Sequence, residues 1–320
     1  MRKIVFNCNQ TKKQGLGHFF RCLNLAMHLK KEKSFNVSFA GTFSSFSLTL
    51  LKDQDFNIIQ LTSNEGLFNF LEQFDYIITD RYDIDQAYIN NLLDTQIKTI
   101  FIDDFNRLDF TAHDLIINFR IGIEHFNYKS NHVALGEKFF IYKPELIQIR
   151  NDYQFSESIK RILFFGTATN KSNDIFYHIP DFLIRNFHDI EIIHITNEPL
   201  GISSNRYKTI NYNNSIEQYF SKMCAIINGG GLIKYEAAFC GIPSATLSTT
   251  MEQHEDTEIL AQKGLLFNLG CQLNINIKDL EIQLIEFITN SKTRFKLNQS
   301  GLELFNPSSI NNLIQKVYEL

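Results

Sequence analysis

The stretch RKIVFNCNQTKKQGLGHFFRCLNLAMHLK, residues 2–30, decides the fold. It opens with a short apolar run, Lys3–Cys8, which predicts a β-strand, and it continues through a turn that contains two glycines. Beyond the turn, Phe19, Cys22 and Ala26 recur at the spacing of a half-buried helix. A strand, a glycine turn and an amphipathic helix in this order indicate a right-handed βαβ unit and a parallel sheet.

The same alternation of strands and helices continues along the chain and restarts after a polar stretch, Arg150–Lys160. The further strand candidates are Asn36–Ala40, Tyr76–Thr79, Thr99–Ile102, Leu115–Asn118, Arg161–Phe165, Ile190–Ile195, Ala225–Asn228, Ser244–Leu247 and Leu265–Asn268. Helices are predicted between them and near residues 277–289 and 308–318, and the Asn- and Ser-rich segment 197–214 is interpreted as an irregular connection. The pattern predicts two doubly wound, Rossmann-like α/β domains that face a cleft, with bounds 1–152 and 153–320 and a C-terminal helix that packs back on the first domain.

Composition excludes several classes of protein. The chain has 320 residues, of which 44% are hydrophobic, and its 31 basic and 35 acidic residues give a formal charge of −4. This balance argues against a protein that coats nucleic acid, and the short apolar runs argue against a membrane span. The five cysteines are widely spaced without a CxxC motif, which is typical of reduced intracellular thiols. We therefore expect a cytoplasmic protein with no structural zinc. The sequence pattern leaves the oligomeric state open, and a monomer is compatible with it.

The first candidate site is the turn that contains Gly15, Gly17 and His18, with Arg21 one turn into the helix. Glycines allow the backbone to approach a ligand closely, and a helix N-terminus favours phosphate. His18 is suited to act as a general base at neutral pH. The alternative is a glycine turn whose histidine only packs, and a bare GxGH pattern would favour that alternative.

The second candidate site follows the predicted strand Ala225–Asn228. Three glycines, Gly229 to Gly231, permit a diphosphate to approach the backbone. Glu236 lies about one and a half turns into the next helix, where its carboxylate can accept ribose hydroxyls, and Glu252 and Gln253 follow the next strand. The alternative is a generic connection in a parallel sheet.

Polar residues at further strand ends form a third group. Asp80 and Tyr82 follow one predicted strand, Asp104 follows the next, and Asn118 ends a third. Such side chains face the ligand edge of a parallel sheet and can bind sugar hydroxyl or amide groups. Helix capping or a solvated turn is the alternative for each residue alone, and no spacing selects a glycosidase or a metal site.

In their order, these motifs resemble the hydrolases that act on UDP-2,4-diacetamido-2,4,6-trideoxy-β-L-altropyranose in pseudaminic acid biosynthesis. The resemblance covers most of residues 1–270. The residues that carry it are Gly15-Leu16-Gly17-His18, Arg21, Leu25-Ala26, Asp80-Arg81-Tyr82, Asp103-Asp104, His113–Asn118, Gly136–Arg150 and Gly229–Gln253. That family is similar in architecture to the peptidoglycan N-acetylglucosaminyltransferase, which implies a GT-B-like glycosyltransferase fold.

The resemblance also implies a function. Water attacks the anomeric carbon with inversion and C–O cleavage, free sugar and UDP are released, His18 is the base, and no metal or other cofactor is needed. Gly15, Gly17 and Arg21 then shape the sugar and phosphate site, and Asp80, Tyr82, Asp104 and Asn118 contact the sugar. The nucleotide is assigned to Gly166, Thr167, Gly229, Gly230, Gly231, Glu236, Glu252 and Gln253.

The chain departs from the family at two places, which leaves alternatives open. Asn7 and Asn9 stand where the family has an Arg and an Asp, and the loop at Gly166-Thr167 lacks a second glycine. A GT-B-type nucleotide-sugar glycosyltransferase in surface polysaccharide synthesis is the first alternative, and a catalytically silent sugar-nucleotide binding protein is the second.

Overall fold

The computed structural model describes residues 1–10, 16–61, 63, 65–123, 125–166, 174–212 and 215–320. The chain divides into two compact units. The first comprises Met1–Pro144 together with Pro307–Leu320, and the second comprises Glu145–Asn306.

The first unit is built on a seven-stranded parallel sheet. Its strands are β1 (Arg2–Asn7), β2 (Phe35–Gly41), β3 (Asn57–Gln60), β4 (Tyr76–Thr79), β5 (Lys98–Ile102), β6 (Leu115–Asn118) and β7 (His132–Leu135). Its helices are α1 (Gly17–Lys31), α2 (Ser45–Asp53), α3 (Glu65–Phe68), α4 (Gln86–Leu93) and α11 (Ser309–Tyr318). The strand order is β3-β2-β1-β4-β5-β6-β7, so the direction of winding reverses between β1 and β4.

The central strands of this sheet are buried on both faces. Tyr76–Thr79 and Leu115–Asn118 are buried at every position, as expected for a parallel sheet covered by helices on both sides. Each of these strands ends in a polar residue, Thr79 or Asn118, at the carboxyl edge. This edge, at the point where the strand order reverses, is where open α/β sheets bind ligands.

The C-terminal segment belongs to the first unit. Ser309 Oγ donates a hydrogen bond to the carbonyl of Phe140 at 2.9 Å, and Asn312 Nδ2 donates to the carbonyl of Lys138 at 3.0 Å. Tyr318 at the end of α11 packs on Phe35, with ring centroids 4.8 Å apart. These contacts hold α11 against the first sheet.

The second unit is built on a six-stranded parallel sheet. Its strands are β8 (Arg161–Phe165), β9 (Glu191–Ile195), β10 (Tyr207–Ile210), β11 (Ala225–Asn228), β12 (Ser244–Ser248) and β13 (Phe267–Cys271). Its helices are α5 (Leu146–Asp152), α6 (Asp174–Asn186), α7 (Ile233–Phe239), α8 (Met251–Gln262), α9 (Ile277–Thr289) and α10 (Ser291–Leu304). The order β10-β9-β8-β11-β12-β13 reverses between β8 and β11.

Two expectations from the sequence differ from the structure. The predicted boundary after residue 152 falls at the end of α5, which packs in the second unit because Arg150 donates hydrogen bonds to the carbonyls of Phe239 and Leu302. The segment 197–214, interpreted as an irregular connection, contains the edge strand β10. Within β10, Tyr207 is buried and Ile210 is partly buried, while the two residues between them are exposed. β10 therefore lacks the continuous apolar run of an inner strand.

Candidate functional site

The predicted residues of the first unit converge at the reversal point of its sheet. α1 starts beyond the end of β1 and carries His18 and Arg21, and Asp80 directly follows β4. Asp104 lies two residues beyond the end of β5. Because β1, β4 and β5 are neighbours, side chains that are distant in sequence meet at one edge.

His18 is hydrogen-bonded to a buried carboxylate. Its Nδ1 contacts Asp80 Oδ1, and the two side chains are 16% and 0% exposed, respectively. The imidazole also packs against the ring of Tyr82 in a T-shaped arrangement, with centroids 3.7 Å apart and planes at 89°. The histidine is therefore held on two sides while part of it still reaches solvent.

Arg21 bridges two aspartates. Its Nε and Nη2 donate to the two carboxylate oxygens of Asp80 at 2.5 and 2.7 Å. Its Nη1 lies 2.9 Å from each oxygen of Asp104. Such planar, bidentate pairing is characteristic of arginine.

The electrostatics of this cluster follow from its burial and its ion pairs. Burial alone would raise the pKa of Asp80, but Arg21 and His18 together hold it below its ordinary value. Burial opposes ionisation of Asp104 in the same way, and Arg21 and Tyr82 overcome it and lower its pKa to about 2. Both carboxylates are therefore ionised at neutral pH. Burial alone would lower the pKa of Arg21, but Asp104 and Asp80 raise it, so Arg21 stays positively charged.

Tyr82 combines an anchored hydroxyl with an open ring. Its hydroxyl donates to Asp104 Oδ2 at 2.5 Å, and burial of that hydroxyl, reinforced by Asp104, raises its pKa. The residue as a whole is 58% exposed, and its ring also contacts Phe105 at 5.2 Å between centroids. An anchored, exposed aromatic ring next to His18 is a suitable surface for a sugar ring.

Asn118 is the most buried residue among the predicted sugar contacts. It is fully buried, its Nδ2 donates to the hydroxyl of Tyr128 at 3.0 Å, and its Oδ1 accepts from the backbone N–H of Arg120 at 3.1 Å. These bonds give Asn118 a clear role in shaping the loop after β6.

Asn7 and Asn9, the two departures from the resembled family, hold strand ends together. Asn7 is fully buried, its Nδ2 donates to the carbonyl of Ala40, and its Oδ1 accepts from the hydroxyl of Tyr88 at 2.7 Å. Asn9 accepts from the backbone N–H of Thr42 at 2.9 Å and donates to Asp83 at 3.2 Å. The uncharged side chains at these two positions thus form hydrogen bonds that connect the ends of β1, β2 and β4.

The glycine turn of the second unit follows β11 at its own reversal point. Gly229 N donates to the carbonyls of Phe165 and Gly166, both at 3.1 Å, which connects the ends of β8 and β11. Gly230 and Gly231 have φ angles of 102° and 74°, a region that side chains rarely adopt. The turn therefore depends on glycine.

Gln253 packs directly on this turn. A Cβ atom added to Gly230 would lie 3.0 Å from Gln253 Oε1, which accepts from Thr249 Oγ1 at 2.6 Å. Glu236 is half-buried on α7, and Glu252 is exposed in the first turn of α8. The nucleotide candidates Gly166, Gly229, Gly230 and Gln253 thus lie close together.

Of the predicted site positions Gly15, Gly17 and Thr167, only Gly17 lies within the described residues. Gly17 is the first residue of α1 and has no neighbour within 4 Å of its added Cβ atom. Gly15 and Thr167 lie outside the described residues.

Sequence reasoning missed an aromatic pair at the second reversal point. Phe165, the last residue of β8, stacks on Tyr212 with centroids 5.6 Å apart and planes at 13°. Glu236 acts on Tyr212 electrostatically and adds to the effect of burial in raising the pKa of its hydroxyl. A Tyr shortly after an edge strand is the signal that could have identified it, but β10 itself was not predicted.

The described ranges hold neither a membrane-spanning helix nor a metal-binding cluster. Every helix there is too short or too polar to traverse a bilayer. No group of three or more His, Cys, Asp or Glu side chains in the same ranges is arranged to hold a metal ion.

Comparison with known proteins identifies the fold. No protein-family model matches the chain. An uncharacterised protein of Methanocaldococcus jannaschii, MJ1062, is 22% identical over 349 aligned positions, which cover 97% of this chain and 71% of that protein.

Among solved structures, MurG of Acinetobacter baumannii aligns over 100% of both chains with 13% identity and a TM-score of 0.69. The UDP-GlcNAc 2-epimerase of Neisseria meningitidis, bound to UDP-GlcNAc, aligns over 99% of this chain and 100% of its own with 12% identity and a TM-score of 0.69. The spinosyn forosaminyltransferase SpnP aligns over 100% of both chains with 12% identity and a TM-score of 0.69. The predicted GT-B-like, Rossmann-type architecture is therefore confirmed.

Proposed function

We propose that the protein is an enzyme of UDP-sugar metabolism and that it hydrolyses a UDP-linked 2,4-diacetamido-2,4,6-trideoxy sugar to free sugar and UDP. The reaction is the one implied by the family resemblance in pseudaminic acid biosynthesis. The fold is compatible with it, since MurG and a UDP-GlcNAc 2-epimerase share the fold.

The observation that carries the proposal is the hydrogen bond between His18 and Asp80. Because Asp80 is ionised, it accepts, and Nδ1 of His18 carries the proton it donates. The lone pair then resides on Nε2, which is the arrangement a general base requires. Nε2 removes a proton from water as the water oxygen bonds to the anomeric carbon. The C–O bond to UDP breaks, and its electron pair leaves with the diphosphate.

The second unit supplies the nucleotide site in this proposal. Gly166, Gly229, Gly230 and Gly231 let the backbone of the turn approach the diphosphate closely. The N–H groups of Gly229 and Gly230 hold the turn together, and the N–H of Gly231 donates to the diphosphate and stabilises the charge of the departing UDP. Glu236 accepts from the ribose hydroxyls, and Glu252 and Gln253 complete the site. The stacked pair Phe165 and Tyr212 offers an aromatic face for the uracil.

The test is hydrolysis of UDP-2,4-diacetamido-2,4,6-trideoxy-β-L-altropyranose without an acceptor. NMR of the first product identifies the anomer, and oxygen-18 water should label the sugar and not the UDP. We expect His18→Ala to lose about 10²–10⁴-fold in rate, the usual contribution of a general base. His132→Ala, a change at an exposed histidine of β7, serves as the matched control and should keep the wild-type rate. Full turnover by His18→Ala would refute the proposal.

A glycosyltransferase is the second candidate, favoured by the shared fold with MurG and SpnP. In that case an acceptor hydroxyl replaces water and His18 deprotonates it. UDP release measured with and without candidate acceptors separates the two, because strict dependence on an acceptor rejects the hydrolase. Tight UDP binding without turnover on any sugar nucleotide would favour a binding protein instead.

A further inference from the structure

We infer that Arg21 and Asp104 are positioning residues that act on His18 through Asp80, and that neither is a ligand of the sugar or the phosphate. The inference rests on the proposed function, because it assigns how the base of that reaction is held. It changes the roles of two residues for which the sequence suggested substrate contact.

The N–H groups of Arg21 are directed at the two carboxylates. A guanidinium has five N–H groups. One from Nε and one from Nη2 go to Asp80, and Nη1 lies 2.9 Å from both oxygens of Asp104, which share its N–H. Nη2 also lies 3.2 Å from His18 Nδ1, which itself carries a proton, so this contact places the guanidinium beside the imidazole without a hydrogen bond. Arg21 is 5% exposed, so its guanidinium is enclosed by the protein and committed to the two carboxylates.

The carboxylate oxygens of Asp80 and Asp104 are occupied by donors from the protein. Asp80 is 1% exposed; its Oδ1 accepts from His18 and Arg21, and its Oδ2 faces Arg21 and the thiol of Cys22. Asp104 is 7% exposed, and its two oxygens accept from Arg21 and from the hydroxyl of Tyr82. Hydroxyls of a sugar would have to displace these charge-assisted bonds, which are the strong ones.

The balance of charge around His18 gives Asp104 its role. The charged and titratable groups that face it are Asp80 after β4, Arg21 on α1, Asp104 after β5 and Tyr82. One guanidinium is shared between two carboxylates, so the cluster keeps a net charge of −1 before His18 takes up a proton. By occupying one side of Arg21, Asp104 leaves Asp80 free to stabilise the imidazolium that forms as water is deprotonated.

The experiment is the kinetics of Asp104→Asn with the same UDP-sugar. Without the Asp104 charge, the positive charge of Arg21 is balanced by Asp80 alone. Asp80 then stabilises the imidazolium of His18 less. We expect kcat to fall about tenfold, the scale of losing a hydrogen-bond partner of a site residue, while KM changes less than about twofold. The acid limb of the pH–rate profile should move to lower pH, which a purely structural defect would not cause.

Asp103→Asn is the matched control, because it removes the same charge from the neighbouring residue, whose carboxylate bonds to Tyr128 and the backbone of Phe105 and Asn106. Its acid limb should stay at the wild-type pH. A rise in KM at constant kcat for Asp104→Asn would identify Asp104 as a substrate ligand and overturn the inference, and so would unchanged kinetics.

A measurement on the wild-type protein covers the case in which Asp104→Asn does not fold. The guanidinium N–H resonances of Arg21, assigned with Arg21→Lys, should keep their chemical shifts when free sugar and UDP are added together. A shift as large as that of a direct ligand would overturn the inference. This measurement needs no turnover, whereas full activity of His18→Ala would defeat the proposed function itself.

Discussion

The two sheets reverse their winding at equivalent places, but the residues at these places differ in kind. In the first unit the reversal point holds a buried cluster of charges, in which Arg21 joins Asp80 and Asp104. In the second unit it holds the glycine turn, in which the N–H groups of Gly229 and Gly230 donate neutral hydrogen bonds to backbone carbonyls and to the side-chain oxygen of Asn228. The same topology therefore supports two different kinds of site.

The difference is what the two halves of the proposed reaction require. A diphosphate is already anionic, and backbone N–H groups suffice to hold it. Activation of water needs a base, and a base needs a fixed counter-charge to stabilise its protonated form. Charge is therefore expected where a proton moves, and conformational freedom of glycine where a phosphate is held.

The largest predicted effect concerns a buried ion pair in the second unit. Lys234 is 2% exposed and lies 2.7 Å from Asp256, which also accepts from the hydroxyl of Tyr235. Lys234→Met leaves this carboxylate buried without its cation, and we expect a loss of about 3–5 kcal/mol in the free energy of unfolding, measured by urea denaturation. Lys234→Met with Asp256→Asn should recover much of that loss.

If the site of the second unit holds its ligand without charged side chains, the ion pair of Lys234 and Asp256 stabilises the fold and does not bind the nucleotide. UDP affinity of the folded Lys234→Met protein, measured by calorimetry without denaturant, should then stay within about threefold of wild type. A larger loss would place a cation in the nucleotide site and break the contrast between the two units.

The second prediction uses the depressed pKa values of the first unit. A carboxyl whose pKa is lower in the folded state stabilises the fold above its ordinary pKa, and this contribution disappears as pH falls through the folded value. For Asp104 the window runs from about 4 down to about 2, and the full contribution is about 2 kcal/mol. Asp80 shifts in the same direction.

Hydrogen exchange can localise this effect. Between pH 5 and pH 3, opening free energies of amides in β5 should fall by about 1 kcal/mol more than those in β11. In Asp104→Asn the difference should shrink, since the titrating group is gone. Equal losses in both sheets would mean that the carboxylates of the first site do not couple to its stability.

The inner strands could be predicted from sequence, and the edge strands could not. Tyr76–Thr79, Leu115–Asn118 and Ala225–Asn228 have the predicted bounds, because strands buried on both faces are continuous apolar runs. The three strands that the sequence pattern does not reveal, β3, β7 and β10, all lie at a sheet edge and are partly exposed. The edge strand β13 was predicted but begins two residues later, at Phe267 rather than Leu265.

The candidate site, too, could be predicted from the sequence only in part. Strand ends identified His18, Asp80 and Asp104 as candidates, since residues after parallel strands share one edge of the sheet. Which of them touch depends on strand order, and no local pattern reveals that β4 pairs with β1 and β5 with β4. Only the structure therefore reveals that Arg21 forms ion pairs with both Asp80 and Asp104.

A substitution at Gly230 tests the glycine side of the comparison. Gly230→Ala places a side chain at a φ of 102° and within 3.0 Å of Gln253 Oε1, and the strain of such a backbone is about 1–3 kcal/mol. We expect UDP binding to weaken about tenfold, which corresponds to about 1.4 kcal/mol, with little change in the kcat of the reaction. Gly201→Ala is the control, because its added Cβ atom meets nothing within 4 Å, and its affinity should match wild type. If Gly230→Ala bound UDP as tightly as Gly201→Ala, the diphosphate would not depend on this turn, and the nucleotide would have to be held by the side chains of α7 and α8 instead.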